Sequence, residues 1–126
     1  MKLLLLVCLG GAAGSGLRYG TDRALLHYLP HQSLAFPWAT LAVNLAGCFA
    51  AGLLCGLLGR EGLKYGPELK VLLITGLCGG LTTFSAFALQ TLHVAPGKAM
   101  ANVAASVVGG LLLAWAGQWV STPAGS

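Results

Sequence analysis

Four stretches of this sequence, at roughly 3–27, 36–59, 69–92 and 97–120, are each long enough to cross a bilayer and poor in charged side chains. A hydrocarbon core takes about 20 apolar residues per helix, because inside it every backbone N–H and C=O must be satisfied within the chain. That pattern predicts an all-α membrane protein: one transmembrane domain over residues 1–126 with four spanning helices and short connections. With 56% of the 126 residues hydrophobic and 8% charged, water is a poor solvent for most of the chain.

The opening "MKLLLLVCLGGAAGSG" also has the form of a secretory signal, with Lys2, an apolar Leu3 to Leu9 run and small residues behind it. Cleavage there would leave an odd number of helices and discard a glycine face that continues into the polar residues of the same helix. Leu-Val before Cys8 also departs from a lipoprotein signal. We therefore read the segment as the first span. Cys8, Cys48, Cys55 and Cys78 all fall inside spans and none forms a Cys-x-x-Cys pair, which favours small buried residues over a metal site or disulfide.

A net charge of +4 could suit nucleic acid, but the Lys and Arg residues are scattered singly, so no nucleic-acid partner is expected. With the N-terminus placed in the cytoplasm, Lys2, Arg60, Lys64 and Lys70 stand on that side, against Arg18, Arg23 and Lys98 on the other. So even a division carries no strong topogenic instruction, and it predicts dual topology, with two copies able to meet antiparallel. Four helices rich in glycine and alanine are also too few to enclose a water-filled path alone, so an oligomer is expected.

Polar residues recur at helical spacing. Gly10, Gly14, Arg18 and Asp22 share one face of the first helix. Arg18 there either snorkels and pairs with Asp22 or attracts an anion. In the second helix, after Phe36, Pro37 and Trp38 at the interface, Thr40, Asn44, Cys48, Gly52 and Gly56 form another stripe. Asn44 is either interhelical glue or a donor to a dehydrated anion. "GREGLKYGPELK" reads as a solvated loop.

The third span carries "GLCGGLTTFSAF", where Gly76, Gly79 and Gly80 weaken a helix and Thr82 and Thr83 compete for its carbonyls. A break near its middle is expected, and irregular backbone at membrane depth survives only in protein or beside a cavity, where freed carbonyls can hold a small cation such as sodium. Phe84 and Phe87 follow on one face with Ser85 between them. On spacing alone they are filler, but beside a polar break their positive ring edges can attract a small anion without trapping it. In the fourth helix Asn102, Ser106, Gly110 and Ala114 form a stripe of either glue or donors, before Trp115 and Trp119 at the far interface and the polar tail "STPAGS".

"GGAAGSGLRY" (Gly10 to Tyr19), "ATLAVNLAGCF" (Ala39 to Phe49), "GLCGGLTTFSAF" (Gly76 to Phe87) and "NVAAS" (Asn102 to Ser106) resemble, in order and spacing across all four helices, the Fluc/CrcB fluoride channels of bacteria and archaea. The resemblance implies a fluoride-selective channel of the cytoplasmic (inner) membrane that passively exports fluoride, lowers cytoplasmic fluoride and gives fluoride resistance. It implies an antiparallel, dual-topology homodimer in membrane lipid, with two pores and a central structural sodium (Na+). By motif position, Phe84, Phe87 and Asn44 correspond to fluoride-path residues, Thr83, Ser85 and Ser106 to supporting hydroxyls, and Thr40 to a further point of that track. Arg18 corresponds to the pore entrance, and Gly79 and Thr82 to the carbonyls that hold sodium. At Asn102, which we also assign to the path, relatives often have tyrosine.

Two other function classes compete. A small proton-coupled, dual-topology drug exporter needs an acidic residue at membrane depth, and only Asp22 is near a span, with Arg18 placed to neutralise it. A non-transporting scaffold subunit makes every stripe glue and has no activity alone. No enzyme is expected, since His27, His31 and His93 near helix ends form no nucleophile–base arrangement.

Overall fold

The computed structural model describes residues 1–59, 63 and 65–122. Four stretches in it are helical, long and apolar enough to cross a membrane: Lys2–Tyr28, Trp38–Leu58, Gly66–Leu92 and Pro96–Ser121. The shortest has 21 residues, which at about 1.5 Å per residue matches a hydrocarbon core of about 30 Å. No strand forms among the described residues.

In chain order, α1 is Lys2–Tyr28, α2 Pro30–Ala35, α3 Trp38–Leu58, α4 Gly66–Leu69, then a π-helical segment Lys70–Cys78, α5 Gly79–Leu81, α6 Phe84–Leu92 and α7 Pro96–Ser121. The short α2 has no counterpart in the hydropathy pattern. Pro30 opens it, where a missing N–H costs nothing, and extended Phe36 closes it. Its C-terminal carbonyl at Ala35 accepts a hydrogen bond of 3.2 Å from Lys98 Nζ, a cation where the helix dipole favours one.

The segment read as a solvated loop before the third span is partly helical. Pro67 sits in the first turn of α4, and the chain runs straight on into the π segment at Lys70. Glu68 forms an ion pair of 3.1 Å with Lys2 at the start of α1. Exposed as Lys2 is, this contact contributes little energy. Arg60, Glu61, Gly62 and Lys64 lie outside the described residues, as does the tail from residue 123.

Lipid is as apolar as leucine, so packing in a bilayer depends on backbones approaching closely at small residues. Two helix pairings do this here. On α1, a Cβ at Gly10 would strike the Leu72 carbonyl, and one at Gly14 the Leu77 carbonyl; Gly76 and Gly80 lie reciprocally against Gly10 and Gly11. Between α3 and α7, Gly52 meets the Ala114 carbonyl and Gly117 the Phe49 carbonyl. The glycine stripe on α1 therefore docks the π segment and α5, and the lower half of the Asn44 stripe docks α7. Trp115 and Trp119 stack at 6.5 Å and 21° near the end of α7.

Candidate functional site

Between α5 and α6 the backbone leaves helical dihedrals for two residues: Thr82 at φ −78°, ψ 154° and Thr83 at φ −153°, ψ 119°. A continuous helix would send the N–H of Thr83 to the Gly79 carbonyl and that of Ala86 to the Thr82 carbonyl. Side chains take both instead. The Thr83 N–H donates to Asn44 Oδ1 at 2.7 Å, and the Ala86 N–H to Thr83 Oγ1 at 3.2 Å, which caps α6. Asn44 Nδ2 donates back to the Thr83 carbonyl at 3.1 Å. Its amide thus clamps both backbone groups of Thr83 and retains one N–H. Thr82 Oγ1 donates to the Cys78 carbonyl at 2.9 Å, and the hydroxyls of Thr83 and Ser85 lie 3.3 Å apart.

Asn44, Thr82, Thr83, Phe84, Phe87 and Ser106 line a groove of ≈ 240 Å³ together with Cys48 and Val107. The two Phe rings stand 5.5 Å apart at 52°. Phe87 is 8% exposed, whereas Phe84 is 78% exposed, so within one chain the pair does not share an interior. Among the described residues no charged side chain lines the groove. Its polar members are hydroxyls and an amide, neutral groups that can hydrogen-bond a small desolvated ion without the full charge that would trap it.

The remaining candidates divide among neighbouring places. Asn102 is 1% exposed and does not line the groove; it accepts a hydrogen bond of 3.4 Å from Ser106 Oγ and donates one of 2.8 Å to Thr91 Oγ1. Thr40 is buried and borders a second cavity of ≈ 240 Å³ with Ser15, Arg18, Asp22 and Gln90. Arg18 and Asp22 meet in that cavity but form no ion pair; among the described residues Lys2–Glu68 is the only one. Gly79 and Thr82 border a further cavity of ≈ 220 Å³, with Gly47, Cys48 and Cys78. Ser85 is exposed and lines none of these three cavities.

Two polar residues of α6 join this set without having been singled out in the sequence. Gln90 borders the cavity of Arg18 and Thr40, and its Oε1 is buried with no hydrogen-bond partner among the described residues. Thr91 donates from Oγ1 to the Phe87 carbonyl at 2.7 Å. The signal for Thr91 was present, since Thr83, Phe87 and Thr91 stand four apart on one helical stripe.

Known proteins resemble this chain over most of its length. The family model described as CrcB-like protein, Camphor Resistance (CrcB), matches residues 5–118. A protein of Chelativorans sp. (strain BNC1) named "Fluoride-specific ion channel FluC" is 46% identical over 125 residues, covering 96% of this chain and 97% of its own. The like-named protein of Methylobacillus flagellatus is 44% identical over 121 residues (93% and 92%). "Fluoride-specific ion channel FluC 1" of Streptomyces avermitilis is 46% identical over 119 residues (91% and 92%).

Proposed function

This chain belongs to the CrcB-like family, and from that premise we propose that it is a fluoride-selective channel of the cytoplasmic (inner) membrane that exports fluoride passively and so confers fluoride resistance. The observation that carries the proposal is the uncharged groove in which Asn44, Thr83, Ser106 and the two Phe rings meet. Fluoride sheds water as it enters and is held by the free Asn44 N–H, hydroxyls and ring edges, each weak enough to release it. A narrow path with fixed donors disfavours the larger chloride. Arg18 and Thr40 line a separate cavity, from which the arginine's charge would draw the anion toward the path. A proton-coupled exporter gains no support, because Asp22 lies in that cavity beside Arg18.

The functional unit in this reading is an antiparallel, dual-topology homodimer with two pores. Its support is the even division of basic residues and the exposure of Phe84, an aromatic path residue that a single chain leaves uncovered. The two extended residues at Thr82 and Thr83 are then the break of the third span.

A central sodium suits the donors present. Gly79 and Thr82 border one cavity, and their carbonyls, whose helical N–H partners are diverted to Asn44 and Thr83, are neutral oxygens of the kind a hard cation takes. A second copy would double that set. Bound there, sodium would supply positive potential and hold the subunits together.

Growth tests the proposal at the level of the cell. Expression of this chain in bacteria lacking fluoride export is expected to restore growth in fluoride medium; growth no better than with an empty vector, despite membrane-inserted protein, contradicts it.

A further inference from the structure

A chain of hydrogen bonds leads away from the groove at Ser106. The Ser106 hydroxyl donates to Asn102 Oδ1 at 3.4 Å, Asn102 Nδ2 donates to Thr91 Oγ1 at 2.8 Å, and Thr91 Oγ1 donates to the Phe87 carbonyl at 2.7 Å. Asn102 is 1% exposed, so it reaches the groove only through Ser106. In this arrangement the proton of Ser106 is turned toward Asn102 and the groove meets oxygen lone pairs, the wrong pole for an anion.

An amide permits a second, complementary arrangement. Turned half a rotation about its Cβ–Cγ bond, Asn102 would present Nδ2 to Ser106 and Oδ1 to Thr91. Thr91 then swings its proton from the Phe87 carbonyl to Oδ1, while Ser106, now accepting from Nδ2, is free to point its own proton into the groove. All three donors stay used: the Thr91 bond to the Phe87 carbonyl is given up, and a charge-assisted Ser106–anion bond, the stronger kind, forms. The link that must open first is the one at the groove, and at 3.4 Å it is the longest of the three and beyond the usual O–H···O range.

Resting on the fluoride-path reading of the groove, we propose that Asn102 and Thr91 form a two-position relay that decides whether Ser106 offers a proton or lone pairs to the passing anion. Thr91, which does not line the groove, is in this account a positioning residue.

The test is the fluoride concentration dependence of efflux from liposomes. Thr91→Val leaves either Nδ2 or Oδ1 of Asn102 facing a methyl group. A buried N–H tolerates that less than a carbonyl does, so the amide settles with Nδ2 on Ser106 and holds the Ser106 proton in the groove. The half-saturating fluoride concentration is expected to fall about fivefold, with a lower maximal flux because release slows. Thr91→Ser is expected to restore both parameters, and in a Ser106→Ala background Thr91→Val is expected to change neither.

A merely structural role would lower flux without lowering half-saturation, and would do so equally in both backgrounds; either result overturns the relay. Should Thr91→Val not fold, Asn102→Leu serves in the same pair of backgrounds. An effect on half-saturation confined to the Ser106 background supports the relay, and equal effects overturn it. Wild-type protein without fluoride flux would instead refute the channel reading beneath it.

Discussion

Phe84→Ile protein is expected to insert and fold as wild type and to lose fluoride flux about thirtyfold or more. The two halves of that expectation have separate grounds. Phe84 is 78% exposed in the chain, so removing its ring leaves no cavity in the fold. If its edge faces the desolvated anion, an ion–quadrupole contact is lost; taken at about 2 kcal/mol, the size of a desolvated cation–ring contact, it corresponds to roughly thirtyfold in rate. Electrode-monitored efflux from liposomes checks the flux, and size-exclusion elution in detergent checks the fold. Undiminished flux in a folded variant would remove the Phe pair from the path.

Asn44→Leu is expected to fail at an earlier stage. Leucine matches asparagine in size but offers nothing to the Thr83 N–H and carbonyl, both of which Asn44 binds. Hydrogen bonds between spanning helices contribute about 0.6–1.7 kcal/mol each, and leaving backbone groups unsatisfied in a dry interior adds to the loss. A deficit of about 2–4 kcal/mol, read as a lower midpoint of thermal unfolding in detergent, is the expected outcome. Asn44→Asp keeps an acceptor for the Thr83 N–H and should recover part of it. Wild-type stability in Asn44→Leu would mean that the clamp does not hold the interruption in place.

These two side chains also show how far the sequence could be read. Four spans followed from run length and charge alone, because the bilayer imposes both. The close approach at Gly10 and Gly14 followed from spacing, since periodicity fixes which residues share a face. What each face meets is a tertiary fact. The sequence left Asn44 open between glue and anion donor, and the chain uses its amide first as a clamp on Thr83, with one N–H to spare.

Asn102 and Ser106 read as one stripe, yet Ser106 reaches the groove and Asn102 is sealed behind it, because α6 covers that turn of α7 through Thr91. The π winding of Lys70–Cys78 had no visible signal, as its residues carry no pattern that separates a π-helix from an α-helix. The short α2 was missed for a simpler reason, since six residues are too few for a periodic signature.

The central claim, selective passive conduction of fluoride, is tested most directly by fluoride efflux from liposomes reconstituted with the purified protein, with chloride efflux followed in parallel. The account predicts rapid fluoride release down its gradient, needing no proton gradient, while chloride stays trapped. Folded, reconstituted protein that releases no fluoride, or releases chloride equally fast, would contradict it.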